Sequence, residues 1–242
     1  MTQTRVALIT GASRGLGLEI ARLLAREGMP LVITARNETD LEAAATELRL
    51  LTPVVALAGD VAEPEHARRL VALGNERFGG IDVLINNAST IGPSPMPALA
   101  DYPLDAFSEV LAVNLTAPLH LIQLVLPHMR ERRDGVIINV TSDAAVQAYP
   151  GWGGYGVSKA ALEHLTRVLE AELEGSGIRT YIVDPGDMDT EMHRQAEPGV
   201  DLSHLPGPEQ SAPAFLHLIE HGTATFGRYE ARDVGVLERR AS

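Results

Sequence analysis

Six short runs that are apolar on both faces punctuate the chain, at residues 6–10 (VALIT), 30–35 (PLVITA), 53–58 (PVVALA), 81–86 (IDVLIN), 135–141 (GVIINVT) and 178–184 (IRTYIVD). Helical periodicity fills the intervals at 15–27, 38–50, 63–78, 105–132 and 155–174. A strand with no polar face needs cover above and below, and a helix after each strand supplies it. The pattern predicts a doubly wound α/β fold, a mostly parallel sheet between two helical layers. Residues 38–49 and 64–77 carry charge on one face and Leu, Ala or Val on the other, as outer helices do. After Pro185 the period is lost, because PGDMDTEMHRQAEPGVDLSHLPGPEQ holds several helix breakers. Long irregular segments in compact domains serve as lids or binding loops, so we expect a substrate loop around 187–210. A helix at 209–221 and an edge strand within GRYEARDV (227–234) follow.

Composition narrows the field. A chain of 242 residues with 45% apolar content and a mean hydropathy of +0.02 can bury one core, and we expect a single domain over residues 1–242. The net charge of -12 argues against a nucleic-acid or anionic-membrane partner, since phosphate neutralisation needs clustered Lys and Arg. No cysteine is present, which excludes disulfides, thiolate metal sites and cysteine nucleophiles and suits a reducing cytoplasm. The start, MTQTRVALITGA, reads as a strand entering a glycine turn. No uninterrupted apolar run approaches the roughly 20 residues of a bilayer span. His217 and His221 have ligand-like spacing but no evident third ligand, so no metal site is expected.

The first run leads into TGASRGLG (10–17) and then into a helical stretch. Glycines let backbone N–H groups close in on a pyrophosphate, and a helix start points its partial positive charge at the same place. A strand before and a helix after make this a Rossmann-type dinucleotide loop, with Gly11, Ser13, Arg14, Gly15, Leu16 and Gly17 at the cofactor, although its glycine spacing differs from the common fingerprint. About 20 residues further on, an acid would bind a ribose 2′-hydroxyl and a base a 2′-phosphate. Arg36 ends the second strand with no acid before Glu38, and Arg14 lies in the loop. Two guanidiniums favour NADP(H) over NAD(H); the plain alternative makes Arg36 a surface residue at a strand end.

The fourth strand ends NNAS (86–89), and VLAVNLTAP places Asn114 inside a helix. Buried amides either satisfy backbone or line polar sites, and by themselves these would count as structural. Ser142 stands at the end of the fifth strand, where ligands of open parallel sheets bind. Tyr155 and Lys159, four apart, share a helix face. A nearby ammonium favours phenolate, and bringing a phenol from about 10 to near 7 needs roughly 4 kcal/mol. The glycines of GWGG, just before Tyr155, would let the loop pass close to substrate. Trp152 either stacks on a flat substrate or closes that loop over the core.

TGASRGLG, Asp60 after the third strand, NNA, Asn114, Ser142, YGVSK and DPG (184–186) stand in the order and spacing of the short-chain dehydrogenase/reductase family. The chain resembles that family over roughly residues 4–190. The resemblance implies that Tyr155 is the acid or base of a hydride transfer between a nicotinamide and a carbonyl or alcohol. It gives Lys159 the nicotinamide ribose and the lowering of the phenol pKa, Ser142 the substrate oxygen, and Asn114 a water chain that resupplies the proton. By the same resemblance Asp60 and Val61 sit by the adenine, Asn87 and Ala88 along the cofactor, and Pro185, Gly186 and Thr190 near the nicotinamide. A homodimer or homotetramer built on the helices at 105–132 and 155–174 is also implied. Ser89 departs from the family's glycine and would narrow the floor near the cofactor.

Substrate identity would be carried by residues 91–96, 144–152 and 188–205, which flank the chemistry. The leading reading is an NADPH-dependent reductase of a small-molecule ketone or aldehyde, or the reverse alcohol dehydrogenase. A dinucleotide-binding redox sensor that turns nothing over, and a 3-oxoacyl-thioester reductase, are the alternatives. The first has no need of the proton-transfer set, and the second lacks an obvious basic cluster for its carrier.

Overall fold

The computed structural model describes residues 4–234. Seven parallel strands form one sheet in the order β3-β2-β1-β4-β5-β6-β7, with β1 Ala7–Thr10, β2 Leu31–Ala35, β3 Val54–Ala58, β4 Val83–Asn86, β5 Gly135–Val140, β6 Ile178–Asp184 and β7 Phe226–Glu230. β1, β2, β4 and β5 are buried at every position, as their unbroken apolar runs require. The predicted edge strand exists and pairs in parallel with β6, Thr180 against Phe226, but it stops at Glu230 and the chain turns into a short helix.

Helices cover both faces. On one side α1 (Gly15–Arg26), α2 (Glu38–Leu48) and α8 (Ala212–His221) bury Ile20, Leu24, Leu41, Phe215 and Leu218 against Ile9, Ile33 and Ile138. On the other, α3 (Pro64–Phe78), α5 (Ala117–Arg132) and α6 (Gly153–Glu172) bury Leu70, Leu121, Val125 and Leu169 against Leu8, Val32, Leu84 and Ile137. The helix expected at 105–132 is present as one continuous stretch, Leu104–Arg132, with a π-turn inside it. α4 (Leu104–Leu111) passes through a wide π-turn at Ala112–Thr116 before α5 begins, because Pro118 has no N–H to return to the Asn114 carbonyl. By length and composition the whole Leu104–Arg132 stretch is apolar enough to cross a membrane, yet its Leu121, Ile122, Val125 and Met129 are packed into the second core.

Strand order reverses between β1 and β4, opening a crevice at their carboxyl ends. The loops that follow β1, β4, β5 and β6 all converge there, and they carry the motifs singled out above.

Candidate active site

The crevice is built first by backbone. Thr10 Oγ1, at the end of β1, accepts from Asn87 N at 3.0 Å and Ala88 N at 2.9 Å, and Asn87 Nδ2 donates back to Thr10 O at 2.8 Å. The turn then needs positive φ at Gly11 (68°) and Gly15 (55°), which glycine adopts without strain. Gly17 has no room for a side chain: a Cβ there would lie 2.4 Å from Gly11 O and 2.5 Å from Asn87 Nδ2. Arg14, extended at the start of α1, places no side chain on the first-turn N–H groups. The result is a bare backbone cradle at a helix start, with Ser13 half-buried, Leu16 anchored in the core and the Thr190 methyl across from Gly15. Arg14 and Arg36 are both exposed. At the end of β3 Asp60 turns the chain by accepting from Ala62 N at 2.9 Å, with Val61 buried behind it. These features fit a dinucleotide.

The second part comes from β5 and α6. Ser142 caps a 3-10 turn, accepting from Ala144 N at 3.2 Å and donating to Asp143 Oδ1 at 2.9 Å. Tyr155 and Lys159 are 8% and 2% exposed, and the ammonium lies 5.5 Å from the phenol ring centroid. Lys159 Nζ donates to Val140 O at 2.9 Å, and burial brings its pKa down to about 8. The expected lowering of the phenol is reversed in the protein by itself. Burial first and then the Asp184 carboxylate push Tyr155 well above its ordinary value, with a lesser push from Asp143; the Ser142 hydroxyl, and more weakly that of Ser89, pull the other way without offsetting burial.

Asn114 is fully buried in the π-turn. Its Oδ1 accepts from Ser89 Oγ at 3.1 Å and Thr90 N at 2.8 Å, and its Nδ2 donates to Thr90 O at 2.8 Å and Ser158 Oγ at 2.9 Å. An amide has two acceptor and two donor positions, and these bonds fill all four. Three glycines around Tyr155 are required by packing. A Cβ on Gly153 or Gly154 would strike Leu99 or Tyr102, and one on Gly156 would lie 2.7 Å from Ala144 O, so α6 starts in close contact with its neighbours.

A cavity of about 1080 Å³ opens beside these groups. Ser142, Tyr155, Asp184, Pro185, Gly186 and Thr190 line it together with the irregular segment that ends in 3-10 turn Pro208–Gln210. Trp152 lines the cavity and packs edge-on to Tyr155, with ring centroids 5.8 Å apart. Thr190 caps α7 (Glu191–Ala196), accepting from His193 N at 3.3 Å.

The model of the short chain dehydrogenase family matches residues 5–201. The chain belongs to that family. It is 39% identical over 191 residues to 2-(R)-hydroxypropyl-CoM dehydrogenase of Xanthobacter autotrophicus, covering 78% of this chain and 76% of that one. Among solved structures, a putative short chain dehydrogenase from Pseudomonas syringae superposes with a TM-score of 0.87 at 32% identity, covering 94% of each chain. An alcohol dehydrogenase of Thermococcus sibiricus complexed with 5-hydroxy-NADP gives 0.83 at 29%, covering 94% of this chain and 95% of that one. An NAD+-bound xylitol dehydrogenase gives 0.83 at 25%, covering 95% and 98%, so family members take both cofactors. This chain is accordingly an oxidoreductase of a nicotinamide-binding family.

Several residues of this member escaped sequence reasoning. Thr10 stitches β1 to β4, and its place just before Gly11 was the signal. Glu163, 2% exposed and four residues after Lys159, accepts from Thr141 Oγ1 at 2.9 Å and Arg228 Nε at 3.0 Å, tying α6 to β5 and β7. Asp143 and Asp184, which hold the phenol neutral, carried no signal beyond adjacency to Ser142 and to the PG turn.

Proposed function

We propose that the protein is an NADP(H)-dependent carbonyl reductase, also able to run as the reverse alcohol dehydrogenase, acting on a small ketone or aldehyde. The observation that carries this reading is the convergence of Ser142 and Tyr155 on one cavity, with Lys159 buried beside the phenol ring and Thr190 joining that cavity to the Gly11–Gly17 cradle. The nicotinamide supplies or takes the hydride when bound. Gly11, Ser13, Gly15, Leu16 and Gly17 hold its phosphates, Arg14 and Arg36 the 2′-phosphate, Asp60 and Val61 the adenine side, and Asn87, Ala88, Pro185, Gly186 and Thr190 the remainder.

Tyr155 donates its proton to the carbonyl oxygen as negative charge develops there. Held neutral by burial and by Asp143 and Asp184, it is ready as an acid, which favours reduction. Ser142 turns its hydroxyl from Asp143 to the same oxygen. Lys159, with one proton on Val140 O, keeps two for the cofactor ribose and offsets the charge left on the phenolate. The exposed Leu104, Val157 and Val168 on the helices around 104–172 fit a homodimer or homotetramer, and the cysteine-free composition fits the cytoplasm.

The test is NADPH and NADH oxidation over a panel of ketones, aldehydes and quinones. NADPH should be preferred, Arg36→Asp should move the preference toward NADH, and Tyr155→Phe should cut turnover by about 10²–10⁴-fold while cofactor still binds. Unchanged turnover in Tyr155→Phe removes the acid role, and a native preference for NADH removes the cofactor assignment.

A further inference from the structure

Two carboxylates line the cavity next to the reacting groups, and they differ in what is left to them. Asp184 is committed to the fold: its Oδ1 accepts from Gly186 N at 3.0 Å and its Oδ2 pairs with Arg228 Nη2 at 3.5 Å. Asp143 is held more lightly. Its Oδ2 accepts from Tyr149 Oη at 2.7 Å, while its Oδ1 accepts, among the described residues, from the Ser142 hydroxyl alone, at 2.9 Å. Ser142 has a single proton to give. When that proton turns to a substrate carbonyl, Asp143 Oδ1 is left on the cavity wall without a donor, and a carboxylate oxygen covered by substrate is costly to leave unmatched.

We propose that Asp143 sets the substrate class: the substrate is an α-hydroxy ketone, and the hydroxyl beside its carbonyl donates to Asp143 Oδ1 in place of Ser142. This rests on the reductase reading above and names the substrate of that same site. In an α-hydroxy ketone the two oxygens, turned to one side, lie about one hydrogen-bond length apart, as Ser142 Oγ and Asp143 Oδ1 do. The substrate pair therefore docks on the protein pair, Ser142 giving its proton to the carbonyl and the substrate hydroxyl giving its own to the carboxylate. Reduction leaves that second bond alone. The hydride that the cofactor supplies adds to the carbonyl carbon, the π electron pair moves to oxygen, and that oxygen takes the Tyr155 proton. The product is a vicinal diol whose first hydroxyl has not changed. A carboxylate accepts and does not donate, so the site favours a hydroxyl on that carbon over an ether. Ile91, Trp152 and Met192 form an apolar part of the same cavity, which suits an alkyl or aryl group on the other side of the carbonyl.

The experiment measures kcat/KM for oxidation of NADPH or NADH, whichever the enzyme prefers, with two matched sets of ketones. One is hydroxyacetone, methoxyacetone and 2-butanone; the other is 2-hydroxyacetophenone, 2-methoxyacetophenone and propiophenone. An α-oxygen also activates a carbonyl by withdrawing electrons. The methoxy ketone keeps that effect and lacks the donor, so the hydroxy-to-methoxy ratio reads the contact. In the better-used set the native ratio should be about 10–100, and Asp143→Ala should lower it by about tenfold or more, the range of one hydrogen bond to a charged group. Asp143→Asn, which keeps an acceptor and loses the charge, should fall between. Tyr149→Phe removes the other bond to the carboxylate but leaves the carboxylate, and should keep the native ratio. Whatever these substitutions do to Ser142 or Tyr155 acts on both ketones and cancels. A native ratio near one overturns the proposal, as does a preference that survives Asp143→Ala, or one lost equally in Tyr149→Phe, which would assign it to the shape of the loop. If no ketone, aldehyde or quinone oxidises either cofactor, the reductase reading falls and this inference with it; ketones taken without regard to the hydroxyl sink this inference alone.

Discussion

On the β1–β4 side of the cleft, short side chains bind directly to backbone. Thr10 Oγ1 takes two N–H groups from the β4 loop, Asn87 Nδ2 reaches Thr10 O and Gly11 O, and Gly17 packs directly under the Gly11 carbonyl. The opposite side, residues 187–210, is closed by one backbone bond, Asp189 N to Pro206 O at 2.9 Å, and by longer side chains: Arg194 Nη2 to Asp189 Oδ1 at 2.6 Å, Ser94 Oγ to Gln195 O at 2.6 Å, and His193 Nδ1 with Met188 O at 3.2 Å. The first wall admits only glycine, a hydroxyl or an amide at its joints, while the second admits many sequences of similar size and polarity. One wall therefore fixes what every member must bind, and the other is free to set which substrate is taken.

The hardest way to break this contrast is to force a side chain into the first wall. Gly17→Val would push its Cβ against the Gly11 carbonyl, so the turn must move by about an ångström. We expect kcat/KM to fall on the order of 100-fold through misplaced cofactor, and stability to fall by about 1–3 kcal/mol from overpacking. Cofactor titration and chemical denaturation check the two parts. The preference among substrates should stay as it was, because no residue of the second wall has changed.

The same contrast explains what could be read in advance. Strands β1 to β6 were legible because runs such as VALIT and IDVLIN have no polar face to leave exposed, and a parallel sheet is where such runs are satisfied. The loop at 10–17 was legible because its glycines are dictated by close approach. The π-turn at Ala112–Thr116 was not, since its cause, a missing N–H at Pro118, is hidden among strong helix formers. Nor was the state of the phenol: the spacing of Tyr155 and Lys159 is visible in sequence, but the burial of both and the approach of Asp184 from β6 are tertiary facts. Ser89 was visible as a departure, and only the structure shows that its hydroxyl faces Asn114.

Lys159 lies where the two walls meet, and it pays in stability for its position. Burial lowers its pKa from 10.5 to about 8, so the unfolded chain binds more protons than the native one between those values. Native stability accordingly rises as pH increases through that interval, and the cost is fully present below pH 8. At about 1.4 kcal/mol per unit that cost is about 3 kcal/mol. Lys159→Met removes it and loses a hydrogen bond to Val140 O that is worth about 1 kcal/mol, leaving a net gain of about 2 kcal/mol. At pH 7 the melting temperature should rise by roughly 4–8 °C while turnover is lost, and the gain should shrink as pH rises through the interval. A melting temperature that falls at pH 7 would mean that the ammonium stabilises the fold.

The mildest change belongs to the second wall. Met192, on α7, packs with Trp152, Met96, Ile91 and Tyr155 in a small apolar cluster on the cavity wall, apart from the two main cores. Truncating an unbranched side chain at a partly open wall leaves neighbours free to resettle, so Met192→Ala should cost less stability than the 2–5 kcal/mol of a buried core truncation. What it changes is shape next to the reacting carbonyl. The ratio of kcat/KM for a bulky ketone to that for a small one should rise by about tenfold, the range expected when a pocket loses a few methylenes. NADP+ affinity should not move, because the cradle formed by Gly11, Gly17 and Asn87 shares no contact with this cluster. Kinetics on two ketones of different size and a cofactor titration decide it. If Met192→Ala weakened cofactor as Gly17→Val does, the two walls would be one unit and specificity could not vary independently of the cradle.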